Sequence, residues 1–179
     1  GAWIDLLHVA LDCGVLKLKL VGGEPLIRRD LPEIIASLRS RDPDVDISIV
    51  TSGAVPRDAI NRCFDAGLSR CNVTVHGFRP EDFALRGGTP RQHAARNECL
   101  DAVLARGRAM KVNYVYTGPA CEEDLSALIA WAAQRSCAVG VLDDLSRQDF
   151  DHHTVLAALR RIGGEPKDQW DEQDPHSLP

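Results

Sequence analysis

Two adjacent glycines followed by a glutamate and a proline, Gly22-Gly23-Glu24-Pro25, stand directly after a short run of leucine, lysine and valine. That run, Val15–Val21, alternates in residue type with the period of a β-strand. Glycines at a strand end let a ligand approach the backbone closely. The carbonyl groups there, with Glu24, can accept hydrogen bonds from an ammonium group. Folds of alternating strands and helices place their active sites at such strand ends, so the motif predicts a ligand site.

The same four residues occur again at Gly163–Pro166, where they follow a helical pattern and precede a polar tail. At that position they are typical of a helix end. The four residues alone therefore do not predict a ligand site. The first copy predicts one because it follows a strand.

Polar side chains recur on one face of several predicted strands, and apolar side chains occupy the other face. The polar set comprises Lys17, Lys19, Ser48, Asn72, Thr74, His76, Lys111 and Asn113. Polar groups that are buried without a partner are costly, so these faces must meet water or a ligand. The pattern favours a curved barrel with a polar, ligand-filled lumen over a flat sheet covered by helices on both faces.

Short β-rich runs alternate with helical patterns along the chain, which indicates parallel βα units. The predicted strands are Val15–Val21, Ile47–Thr51, Cys71–His76, Lys111–Tyr116 and Val139–Leu142. Asp30 with Glu33 resembles a capping box, and Thr89 with Gln92 is a second one. We expect one βα domain over residues 1–162 and a polar extension over residues 163–179. We also expect both ends to be cut, because the helix at Trp3–Leu11 should follow a strand that the sequence does not contain.

Composition excludes several classes of protein. The 179 residues carry a formal charge of −5, which does not predict nucleic-acid binding. No apolar run has the length of a membrane span and no signal peptide opens the chain, so we expect a cytoplasmic protein that does not bind a membrane. The six cysteines show no metal-ligand spacing with one another or with histidine. Most of them are expected to be small core residues, and no metal ligand is predicted.

The run KLVGGEPLIRRD at Lys19–Asp30 resembles the radical S-adenosylmethionine (SAM) superfamily, and in particular the GTP 3′,8-cyclase group of molybdenum-cofactor biosynthesis. The resemblance continues in VTSG at Val50–Gly53, in AGLSRCNVTVHG at Ala66–Gly77 and in KVNYVY at Lys111–Tyr116. It extends over roughly residues 2–161. It implies a partial (β/α)6 TIM-like barrel of parallel strands, from which the N-terminal strand and the cluster loop are missing here.

The resemblance also implies a cofactor site. In the family, the glycine-rich motif holds the methionyl amino group of SAM, which assigns that role to Gly22, Gly23 and Glu24 here. Thr74 occupies the place of a serine that contacts SAM. Leu145 replaces a methionine and would add an apolar or backbone contact.

Lys19 and Lys111 align with basic residues that bind the substrate's phosphates in the cyclases. Asn113 and His76 complete the expected substrate site. Val50 replaces a threonine and His76 replaces an aspartate of the cyclases. The resemblance therefore implies a small-molecule or peptide substrate that is anionic but different from GTP.

The resemblance implies a radical SAM enzyme, an oxidoreductase or lyase. A 4Fe-4S cluster would cleave SAM reductively to a 5′-deoxyadenosyl radical, which abstracts hydrogen from a substrate in the lumen. An electron donor such as flavodoxin or ferredoxin would supply the electron. The CxxxCxxC motif that holds this cluster is absent, and its loop would precede Gly1. Two alternatives remain: a cluster-less, non-catalytic relative that binds SAM, and an unrelated βα-barrel enzyme that binds a phosphorylated metabolite through Lys19 and Lys111.

Overall fold

The computed structural model describes residues 1–143 and 152–163. Its centre is a single sheet of five parallel strands in chain order. They are β1 (Lys17–Leu20), β2 (Asp46–Thr51), β3 (Arg70–Val75), β4 (Ala109–Tyr116) and β5 (Ala138–Asp143). The α/β class and the parallel strands predicted from the sequence are confirmed.

Helices lie before the first strand, between consecutive strands, as parallel connections require, and after the last strand. They are α1 (Ala2–Asp12), α2 (Leu31–Arg41), α3 (Arg57–Asp65), α4 (Pro80–Leu85), α5 (Pro90–Ala105), α6 (Glu122–Ala133) and α7 (His152–Arg161). Two 3-10 helices, Pro25–Ile27 and Pro119–Cys121, follow β1 and β4. Sequence analysis did not find α4 or the 3-10 helices, because such short segments show no helical period.

The apolar face of the sheet forms one core with the helices. Strand residues with no exposed surface include Ile47, Ile49, Cys71, Val73, Val112 and Tyr114. They join buried residues of the helices, such as Ile35, Leu38 and Ile60, in the same cluster. Side chains alternate along a strand, so the residues between these point to the opposite face. The predicted separation into an apolar and a polar face is confirmed.

One of the two predicted capping boxes is present. The Thr89 hydroxyl oxygen accepts a hydrogen bond from the backbone N–H of Gln92, and the Gln92 side chain accepts one from the N–H of Thr89. The box at Asp30 is wrong. The Asp30 carboxylate instead accepts two hydrogen bonds from the Arg28 guanidinium, at 2.7 and 2.9 Å. A bidentate arginine two residues away outcompetes the helix N-terminus, and it lowers the pKa of Asp30.

Four of the six cysteines, at positions 63, 71, 99 and 121, are buried, which confirms most of them as core residues. All six are free thiols. Across residues 1–143 and 152–163, no group of three or more histidine, cysteine or acidic side chains is arranged to hold a metal ion. Leu145 and nearly all of the polar extension lie outside the described residues.

None of the helices described here has both the length and the apolar character that crossing a bilayer requires.

Candidate ligand site at the strand ends

Gly22 and Gly23 leave an open stretch of backbone at the carboxyl end of β1. Both are exposed, and a Cβ atom at either position would have no other atom within 4 Å. Neither has the positive φ that favours glycine. Their N–H and C=O groups have no hydrogen-bond partner among the residues that the structure describes. The fold itself therefore does not require glycine here, and the two residues leave space and free backbone groups for a ligand.

Glu24 ties the end of β1 to the end of β2. One carboxylate oxygen accepts hydrogen bonds from the Leu26 N–H at 3.2 Å and the Thr51 hydroxyl at 2.6 Å. The other accepts from the N–H and the hydroxyl of Ser52, at 2.9 and 2.6 Å. A carboxylate accepts about four hydrogen bonds, so the chain itself uses all of this capacity. The acceptors left for an ammonium group are the carbonyl oxygens of Gly22 and Gly23, and direct contact by Glu24 stays a prediction.

The strand register brings several predicted site residues together. Thr74 lies opposite Asn113 on the neighbouring strand, and Lys111 lies opposite Asn72. Adjacent strands are about 4.8 Å apart, so the four side chains form a compact group on the polar face. None of the four has a side-chain hydrogen bond within the described part of the chain. Lys111 is exposed, whereas Asn113 is only 9% exposed.

Lys19 is not a neighbour of Lys111. Its register partner is Ser48, which in turn pairs with Arg70. Three strand spacings separate β1 from β4, or about 14 Å measured along the sheet. The two lysines share the polar face, as predicted, but they lie in different parts of it.

His76 directly follows β3 and is exposed. The next three residues form the β3 loop, Gly77–Arg79, whose backbone is held by two charged side chains from distant helices. The Arg96 guanidinium of α5 donates to the carbonyl oxygens of Gly77 and Phe78. The Asp124 carboxylate of α6 accepts from the N–H groups of Phe78 and Arg79, both at 2.7 Å. This loop therefore fixes the backbone beside His76.

Arg96 and Asp124 are buried charges of opposite sign, 1% and 0% exposed. Burial lowers the pKa of Arg96 to about 10, although the nearby Asp124 carboxylate favours its charged form. The Tyr114 hydroxyl also donates to Asp124, at 2.8 Å. Burial and this bond to a carboxylate raise the pKa of Tyr114 well above its usual value.

Sequence analysis missed four residues that shape this region. Arg96 and Asp124 carry no local signal, because their partners lie 18 to 46 residues away in the chain. Asn72 was placed on the polar face but not assigned to the site. Gly140 had a signal that was not used: a glycine inside a strand often marks a point where another group approaches closely.

Comparison with known sequences gives one family and a set of related enzymes. The model of the Radical SAM superfamily matches residues 3–132. The GTP 3',8-cyclase of Paenarthrobacter nicotinovorans is 33% identical over 147 residues, which cover 78% of this chain and 39% of that protein. That of Tolumonas auensis is 29% identical over 169 residues, which cover 91% of this chain and 49% of the relative. The chain thus spans less than half the length of these relatives.

Two solved structures share the fold. TYW1 with a lysine-pyruvate adduct bound aligns with a TM-score of 0.60 at 11% identity, covering 82% of this chain and 49% of that one. Coproporphyrinogen III oxidase (HemN) from Escherichia coli, described as a radical SAM enzyme, aligns with a TM-score of 0.53 at 17% identity, covering 94% and 42%. At these identities the likeness shows the fold alone, a partial TIM-like barrel.

The named relatives are enzymes. The family match covers well over half of the chain, and the glycine-rich motif lies at the strand end where the sequence resemblance placed it. This chain belongs to the radical SAM superfamily.

Proposed function

We propose that this chain is the SAM-binding and substrate-binding part of a radical SAM enzyme. Such an enzyme cleaves SAM reductively at a 4Fe-4S cluster and uses the 5′-deoxyadenosyl radical to abstract hydrogen from a substrate in the barrel lumen. The observation that carries the proposal is the open, unpaired backbone of Gly22 and Gly23 at the carboxyl end of a parallel strand.

These residues fit the methionyl end of SAM. The carbonyl oxygens of Gly22 and Gly23 accept hydrogen bonds from its ammonium group, and Glu24 holds them in place through Thr51 and Ser52. Thr74 offers a hydroxyl two strands away on the polar face. Leu145, which lies outside the described residues, would add an apolar contact.

The described residues do not fit an iron–sulfur cluster. Four of the cysteines are buried in the core, and no group of metal ligands is assembled in residues 1–143 or 152–163. We therefore propose that a further strand holds the cluster. β1 is the edge of the sheet, and α1, which packs against α2, exposes Trp3, Leu6 and Val9, each more than half accessible. These apolar side chains suit the packing of an additional strand next to β1.

The substrate is anionic in this proposal. Lys111 and Asn113 bind one part of it, Lys19 binds another, and His76 contacts it at the end of β3. GTP itself is not proposed, because Val50 and His76 replace the threonine and the aspartate of the cyclases. Flavodoxin or ferredoxin is the proposed electron donor.

A second candidate is a protein that binds SAM without radical chemistry. It uses the same open backbone at Gly22 and Gly23 and requires no metal ligand from the described residues. Anaerobic iron and sulfide analysis of the native protein separates the two candidates. About four irons per chain establish the enzyme, whereas an iron-free native protein that binds SAM establishes the second candidate.

The assignment of the SAM site is tested by Gly23→Val in the native protein, with SAM binding measured by calorimetry. We expect binding to be abolished, because the side chain fills the space that the ligand needs. Stability in urea should stay unchanged, because a Cβ atom at this position touches nothing. Lys111→Ala is the control that should keep SAM binding. If Gly23→Val keeps the wild-type affinity for SAM, the site assignment is wrong.

A further inference from the structure

Gly140, in the middle of β5, leaves room that a neighbouring lysine occupies. Its register partner is Asn113, two residues after Lys111 on β4. A Cβ atom at position 140 would overlap Cε of Lys111. It would also lie 2.9 Å from Nζ of Lys111 and 3.0 Å from Oδ1 of Asn113. The φ angle of Gly140 is not positive, so the backbone conformation does not demand glycine.

The missing side chain decides where the Lys111 ammonium group lies. The lysine chain extends across β5 and places its ammonium group close to the Asn113 amide. A lysine side chain is flexible, so a methyl group at position 140 would displace it without breaking the strand. Position 140 therefore controls the position of a cation rather than the stability of the sheet.

Neither Lys111 nor Asn113 has a side-chain partner in the part of the chain that the structure describes. Other polar side chains on the same face do. The Ser48 hydroxyl donates to the Leu18 carbonyl at 3.3 Å, and Arg70 forms an ion pair with Asp46 at 2.5 Å. Asn113 is nine-tenths buried as a residue, but none of the described side chains has a buried oxygen or nitrogen without a hydrogen-bond partner, so its amide still reaches the surface of the polar face. An ammonium group and an amide that stay unpaired side by side point to a bound ligand.

We propose that Gly140 is a specificity-determining residue. It holds open a subsite in which the Lys111 ammonium group binds an oxyanion of the substrate, a phosphate or a carboxylate, and the Asn113 amide binds a polar atom next to it. This subsite deepens the proposed function and rests on it for the identity of the substrate site. Gly140 itself acts through Lys111.

The test is a double-mutant cycle on the native protein, with binding of inorganic pyrophosphate and of succinate measured by calorimetry. The two probes distinguish a phosphate from a carboxylate ligand. We expect Gly140→Ala to weaken binding of the preferred anion about ten-fold, the size of a lost charge-assisted hydrogen bond. Lys111→Ala should weaken it at least as much. The double variant should be no weaker than Lys111→Ala alone, because the two residues act through one ammonium group.

Val139→Ala is the structural control, since this residue is on the same strand but on its opposite face. It should leave the affinity for the anion unchanged. Three results would overturn the proposal. They are additive losses of affinity in the double variant, an unchanged affinity in Gly140→Ala, and a wild type that binds neither anion. SAM binding is measured on the same samples. If the wild type binds the anion but not SAM, the proposed function fails while the subsite stands.

Discussion

Two strand-end loops of this molecule use the same residue types for different purposes. The β1 loop, Gly22–Leu26, is held by the Glu24 carboxylate, and the β3 loop, Gly77–Arg79, is held mainly by Asp124 and Arg96. Glu24 bonds to β2 mostly through hydroxyl groups and leaves the glycine backbone free. Asp124 and Arg96 instead bind the N–H and C=O groups of the β3 loop backbone.

The glycines of the two loops differ in the same way. A Cβ atom at Gly77 would lie 2.6 Å from the backbone of Asp82 and Phe83, so glycine is needed there for α4 to pack against the strand end. At Gly22 and Gly23 the same atom would meet nothing. A strand-end glycine thus indicates a ligand only when the chain's own packing does not need the space. The β1 loop leaves open the space that the proposed ligand would need, whereas the β3 loop fills that space with its own chain.

We call the hydrogen bonds by which Asp124 and Arg96 hold the backbone of the β3 loop the β3 clamp. The largest expected effect is the loss of the Asp124 half of this clamp in Asp124→Ala. This change leaves two N–H groups without their acceptor, and it removes the shorter of the two hydrogen bonds of the Tyr114 hydroxyl. It also leaves the buried Arg96 charge without its counter-charge. We expect the free energy of unfolding in urea to fall by about 3–5 kcal/mol. Glu123→Ala is the matched control, because this neighbouring side chain is 82% exposed and contacts the loop only through a surface ion pair with Arg79; it should change stability by less than about 1 kcal/mol. A loss below about 1 kcal/mol for Asp124→Ala would contradict the clamp.

A paired glycine substitution tests the comparison directly. We expect Gly77→Ala to lower the free energy of unfolding by about 1–3 kcal/mol, because its methyl group meets the backbone of α4. Gly22→Ala should change it by less than about 0.5 kcal/mol, because the space there is empty. Urea unfolding of both variants gives the two values. Equal losses in the two variants would remove the distinction between the loops.

The smallest effect is the contribution of Tyr114, which donates to Asp124, to the pH dependence of stability. Burial and the bond to Asp124 raise the pKa of Tyr114, an acid that ionises near pH 10 in the unfolded chain. A raised pKa in the folded state gives a stability contribution that is complete below pH 10 and is lost as the pH rises further. The loss from this group between pH 10 and pH 11 should be about 1 kcal/mol.

Tyr114→Phe isolates this contribution. Burial also raises the pKa of Cys63 to about 11 and that of Cys99 to about 12, so both proteins lose stability above pH 9 as the unfolded thiols ionise. Urea unfolding at several pH values should show a shallower decline for Tyr114→Phe than for the wild type above pH 10. If stability declines equally in the two proteins, ionisation of Tyr114 does not contribute to the alkaline loss of stability.

Features that depend on neighbours in the chain were predictable. The alternation of the strands placed Ile47 and Val73 in the core and Lys111 and Asn113 on the polar face, because side chains must alternate in an extended chain. The Thr89 capping box needs only residues three positions apart. Asp30 shows the limit of such rules, because its carboxylate accepts hydrogen bonds from Arg28 instead of capping the helix.

The amino-acid sequence by itself thus determined the α/β architecture, the family and the position of Gly22-Gly23 at a strand end. Only the tertiary structure decided that the Glu24 carboxylate accepts its hydrogen bonds from groups of the same chain. It also decided that Arg96 and Asp124 hold the β3 loop, and that Gly140 sets the position of Lys111. The physical reason is the same in each case. These contacts join residues far apart in the chain or on different strands, and they depend on register and packing that no local pattern encodes.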